Sequence, residues 1–99
     1  MKLHFSGIKL DREDQGMIIQ LVDKLARKKD YIKTLTLHID KYEEEGRRAK
    51  FSVKATADTD YGPFSADAFA YWYLNLAVKD ILKKLMKFIH GRARKKKGD

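Results

Sequence analysis

The sequence predicts an α+β fold, a β-α-β-β-β-α two-layer sandwich in which two helices cover one face of a four-stranded sheet. Three observations carry that prediction. Between Leu74 and Ile89, the residues Leu74, Val78, Ile81, Leu85 and Ile89 recur every three or four positions, the period of a helix with one buried side. A second run with that period, Met17 to Leu25, separates two segments that alternate apolar and polar residues. Segments centred on Leu37, Val53 and Ala66 then follow one another with period two, the mark of strands that bury one face and wet the other.

Taken in order, Lys2 to Ser6 reads as a short strand with Leu3 and Phe5 inward, and Gly7 to Leu10 as a turn. Asp11 is suited to cap a helix, and Glu13 and Asp14 sit near the positive end of its dipole. That helix is expected to run to about Lys29, burying Met17, Ile18, Leu21, Val22 and Leu25, with Gly16 weakening its first turns. Lys24, Arg27, Lys28 and Lys29 fall in its last turn, where cations suit the negative end. Leu35, Leu37 and Ile39 form the inward face of the second strand, and Glu43 to Gly46 reads as a hairpin loop. In the third strand Ala49, Phe51, Val53, Ala55 and Ala57 oppose Arg48, Lys50, Ser52, Lys54 and Thr56. Asp58 to Pro63 is a second turn. Phe64, Ala66, Ala68 and Ala70 continue as a fourth strand with Phe69 on the opposite face, and the final helix opens at Tyr71. A parallel crossover followed by a meander gives the spatial order 1-2-3-4. Residues 1–90 are expected to form one domain and residues 91–99 a basic flexible tail.

Ninety-nine residues with 43% hydrophobic content support one small core. No apolar run reaches the roughly 20 residues of a membrane span, and the start, MKLHFSG, lacks a signal-peptide core. A soluble, cytoplasmic protein without a membrane partner is expected, and the lack of cysteine suits a reducing compartment. The formal net charge is +8, and it is segregated. From Lys79 onward the basic residues are Lys79, Lys83, Lys84, Lys87, Arg92, Arg94, Lys95, Lys96 and Lys97, against only Asp80 and Asp99. Such a focused field attracts polyanions, nucleic acid foremost, with an acidic membrane or protein surface as the competitor.

Catalysis has little support. There is no thiol, no serine in a nucleophile elbow and no glycine-rich phosphate loop; Asp58 and Asp60 read as turn residues. The expectation is a non-enzyme without cofactor, metal or small-molecule substrate. His4 and His38 fall on outward faces of neighbouring strands, a weak basis for a metal site without a third ligand. Phe69, Tyr71, Trp72 and Tyr73 could stack on bases, but neighbours in sequence spread around a helix, so some must pack inward, and Tyr71 and Trp72 are read as a mixture of core and rim. The basic groups converge instead. Lys24, Arg27 and Lys28 end one helix, and Lys79, Lys83, Lys84, Lys87 and His90 run along the other, with Arg92 and Arg94 beyond. Two helices side by side on one sheet face would align them as a ridge. Lysines meet phosphates as point charges, so the ridge suits structured RNA recognised through its backbone.

Three segments resemble the ribosome hibernation-promoting factor family, the short ribosome-associated inhibitors also called sigma-54 modulation proteins. Asp23-Lys24-Leu25-Ala26-Arg27 is similar to the family's segment near the end of its first helix. Phe51 to Ala57 with the following Asp60-Tyr61-Gly62-Pro63 resembles its third strand and hairpin, and Tyr71 to Ile89 its Tyr-rich, lysine-studded second helix. The final helix is more apolar at Trp72, Leu76 and Phe88 than the family pattern, and the tail is basic. The resemblance implies the β-α-β-β-β-α fold and binding to the small ribosomal subunit and its ribosomal RNA, in the channel used by messenger and transfer RNA, blocking translation in stressed or resting cells. By position it implies RNA contacts at Lys24, Arg27, Lys28, Lys79, Lys83, Lys84 and Lys87. A general double-stranded-RNA module and a protein-interaction domain are the alternatives.

Overall fold

Alternation and helical period translate directly into elements in the computed structural model, which describes residues 1–25, 31–45 and 48–97. Strand β1 spans Lys2–Gly7, helix α1 Arg12–Leu25, β2 Ile32–Glu45, β3 Arg48–Thr59, β4 Gly62–Tyr71 and helix α2 Leu74–Lys97. The sheet order is β1-β2-β3-β4; β1 runs parallel to β2, and the other pairs are antiparallel. This is the predicted α+β architecture.

Inward residues of the four strands and the apolar sides of both helices form one core. Ile18 and Val22 of α1, Leu35, Leu37 and Ile39 of β2, Val53 and Ala55 of β3, and Val78, Ile81, Leu82, Leu85 and Ile89 of α2 are all buried. Helix α2 packs on β4 and β3, whose inward positions include Ala55, Ala57, Ala66 and Ala68. These small side chains let the helix axis approach the sheet, while its own Leu and Ile residues fill the layer. Each such residue stabilises the fold by roughly 1.5–3 kcal/mol relative to exposure.

The start of α1 is as the sequence predicts: the Asp14 amide donates to Asp11 Oδ1 at 2.8 Å, an N-cap bond. Gly16 does not interrupt the helix. The stretch beyond Leu25, including Arg27 and Lys28, lies outside the described residues, as does Gly46 of the expected hairpin loop.

Four boundaries differ from expectation. Strand β2 continues through Glu43 to Glu45 instead of turning there, and the ladder pairs Glu45 with Arg48 in register. The second turn narrows to Asp60 and Tyr61, since Thr59 pairs with Gly62. Thr59 holds it, its hydroxyl donating to the Gly62 carbonyl at 2.7 Å and accepting from the Tyr61 amide at 3.1 Å. Tyr71 belongs to β4, and Trp72 and Tyr73 form a bend, so the helix opens three residues later than expected. At its other end α2 crosses Gly91 and runs to Lys97, where residue 91 was expected to begin a tail. A single glycine opposes a helix by only about 1 kcal/mol, too little to end one.

Gly7 is the tightest point in the sheet. Its φ is +96°, and a Cβ there would lie 2.1 Å from the Ile39 carbonyl oxygen. The neighbouring Ile8 amide donates to that same oxygen at 2.8 Å, closing the end of the β1–β2 ladder. At Gly62 φ is +110°, but nothing lies within 4 Å of a Cβ. Gly7→Ala is therefore expected to destabilise the protein by at least about 3 kcal/mol and Gly62→Ala by about 1–2 kcal/mol, as urea denaturation will show.

Candidate nucleic-acid interface

The lysines of α2 are placed by what its other side buries. At 100° per residue, Leu74, Ala77, Val78, Ile81, Leu82, Leu85 and Ile89 occupy one side of the helix, and all are buried. Lys79, Lys83, Lys87 and His90 fall within an arc of about 80° on the opposite side. All four are exposed, as is Leu76 in the same stripe. Among the described residues no hydrogen bond or ion pair engages Lys79, Lys83 or Lys87. Successive lysines rise about 6 Å along the axis, so the three form a straight cationic row facing solvent.

Lys24 is exposed in the last turn of α1. Ile18 and Val22 bury the other side of that helix, which directs Lys24 away from the sheet, and α1 and α2 pack against each other. Lys24 and the α2 row thus belong to the outer surface of one helical layer. Arg94 lies in the last turns of α2 by backbone position.

Two predicted site residues do not join this row. Lys84 lies on the flank of α2 toward β4: its Nζ donates to the Asp67 carbonyl at 2.8 Å and pairs with Asp80 Oδ2 at 3.0 Å. It ties helix to sheet. Arg92 is turned toward the core side, its guanidinium 5.5 Å from the Phe88 ring centroid. One-dimensional spacing did not separate these two from their neighbours, because Lys83 and Lys84 differ by 100° of rotation.

The face of the sheet away from the helices carries what sequence reasoning underrated. Phe69 is exposed on the outward face of β4, as the alternation predicts, and Trp72 and Tyr73 are exposed beyond it (70%, 41% and 64%), which leaves Trp72 at the rim. Trp72 and Tyr73 stand in a bend ahead of α2, so the rotation that a helix would give neighbouring residues does not apply to them. Tyr42 lies beside Phe69 with ring planes 21° apart and centroids at 5.0 Å, and its buried hydroxyl has no hydrogen-bond partner among the described residues.

The histidines are not a pair. His4 stands opposite Thr36, and His38 opposite Ser6. His38 Nδ1 lies 2.8 Å from Ser6 Oγ, and its Nε2 3.1 Å from Asp40 Oδ2. With the ring proton on Nε2, the ring donates to Asp40 and accepts from the serine hydroxyl. This has the connectivity of a nucleophilic triad, but His38 and Asp40 are about half exposed on an open sheet (45% and 53%). Water screens the charges there, so the relay lacks the low-dielectric setting that activates a serine. Elsewhere on this face a shallow depression of about 430 Å³ is lined by Thr34, Thr56, Asp58, Pro63 and Ser65. At the β3–β4 turn, partial burial and the neighbouring Tyr31 ring, 5.2 Å away, raise the Tyr61 phenol above its ordinary range.

No protein-family profile matches the sequence, and no curated protein matches it. Among solved structures, the chain is similar to the crystal structure of the Thermus thermophilus Protein Y N-terminal domain, with a TM-score of 0.63 and 14% identity over 89% of this chain and 91% of that one. At that identity the likeness establishes a shared fold.

Lys84→Ala is expected to lower stability by about 1 kcal/mol, whereas Lys79→Ala, Lys83→Ala and Lys87→Ala stay within about 0.5 kcal/mol of the parent in thermal melts. Tyr42→Phe removes an unsatisfied hydroxyl and is expected to leave stability unchanged or raise it by about 1 kcal/mol in the same measurement.

Proposed function

We propose that this protein is a ribosome-binding hibernation factor that occupies the messenger and transfer RNA channel of the small subunit through phosphate contacts and so inhibits translation under stress. The observation that carries the reading is the outward row Lys79, Lys83 and Lys87, held at regular spacing, unpaired among the described residues and directed away from the core. Sequence resemblance to the hibernation-promoting factors supports it, as does the fold shared with the Protein Y N-terminal domain.

In this reading the protein acts by occupancy, without catalysis. Lys79, Lys83, Lys87, His90 and Lys24 meet ribosomal RNA phosphates, joined by Arg27, Lys28 and Arg94. Lys84 and Arg92 add to the positive field while their local contacts hold the helix in place. Point charges on a rigid helix recognise backbone position and carry little base information, which suits a structured RNA of fixed shape.

Co-sedimentation with purified small subunits at increasing salt tests it. Association is expected to weaken steeply, and the triple variant Lys79→Gln, Lys83→Gln, Lys87→Gln to fold normally, bind far more weakly and show a log–log salt slope shallower by roughly 2–3. Binding by that variant equal to the parent's overturns the reading. Affinity for a plain RNA duplex equal to that for small subunits favours a general double-stranded-RNA module.

A further inference from the structure

The open face of the sheet ends in an aromatic and cationic cluster that the lysine row on the helical layer leaves unused. Tyr42 on β2 and Phe69 on β4 meet across β3, where the outward residue is the small Ser52. Lys50, the cross-strand partner of Tyr42, places its Nζ 5.1 Å from the centroid of the Trp72 ring. Lys54 is exposed farther along β3, opposite Asp67, which precedes Phe69 by two residues on the same face. With 70% of its surface in water, Phe69 contributes little to the core, and with Trp72 it forms an apolar patch edged by cations.

We infer that this end of the open sheet face binds unpaired bases of single-stranded RNA, with Phe69 and Trp72 stacking on successive bases and Lys50 and Lys54 meeting the flanking phosphates. Exposed ring faces beside ammonium groups match the two parts of a nucleotide, a planar π-system and an anion. Charge argues against a second copy of the chain as occupant, because face-to-face association would bring together two molecules of net charge +8. The surface lies on the opposite side of the sheet from Lys79, Lys83 and Lys87, and the inference does not rest on the role proposed for them.

The test measures fluorescence anisotropy of a labelled 12-nucleotide oligouridine and of an RNA duplex of equal length, with the full chain and its variants. Phe69→Ala is expected to weaken oligouridine binding roughly tenfold while leaving duplex binding unchanged, and Phe69→Tyr to retain it. Oligouridine should also quench the emission of Trp72, the single tryptophan of the chain. Because Phe69 is exposed, circular dichroism melts of Phe69→Ala should match the parent. Three results overturn the inference: undiminished oligouridine binding by Phe69→Ala, unchanged Trp72 emission, or an effect of Phe69→Ala confined to self-association in sedimentation equilibrium. If the lysine triple variant keeps its ribosome association while Phe69→Ala loses oligouridine, the lysine reading fails and this one stands. If the lysine variant loses ribosomes while Phe69→Ala still binds oligouridine, this inference alone fails.

Discussion

Burial of one side of α2 against an alanine-floored sheet constrains everything else in this small protein. Ile81, Leu82, Leu85 and Ile89 are removed from water by β3 and β4, whose Ala55, Ala57, Ala66 and Ala68 keep the layer thin. A helix so anchored has no rotational freedom, since turning it by one residue would expose a leucine and bury a lysine. The direction of Lys79, Lys83 and Lys87 is therefore a by-product of core packing. Lys84 reinforces the same setting from the flank, joining helix to strand through the Asp67 carbonyl.

The two faces of the molecule consequently differ in chemistry. The helical layer presents cations on a rigid rod, a surface that senses where phosphates lie. The open sheet presents hydroxyls, a Ser6–His38–Asp40 relay and, at one end, aromatic rings edged by lysines. The lysine row follows from a regular element whose opposite side is committed to the core, whereas the aromatic end of the open face also draws Trp72 from the bend before α2.

Most of the architecture was legible in the sequence because each element obeys a single period. Leu74, Val78, Ile81, Leu85 and Ile89, singled out by spacing, are all buried, and the sheet order follows from one crossover and a meander. Boundaries were less legible where local preference and pairing compete. Glu45 reads as part of a loop until the backbone register pairs it with Arg48. The bend at Trp72 and Tyr73 was hidden because aromatic residues suit a strand, a helix or neither.

What the sequence determined alone is the period of each element, its apolar side and the segregation of positive charge toward the C-terminal helix. Those are properties of neighbouring residues, set by backbone geometry within a few turns or pleats. Which cations stay available, and which rings stay in water, was decided only by tertiary structure. Lys83 and Lys84 are adjacent in the chain, yet one meets solvent and the other a strand 17 residues away, a contact the sheet register creates. Phe69 and Tyr42 meet across an intervening strand through the fold of the meander, and no local rule joins residues that far apart.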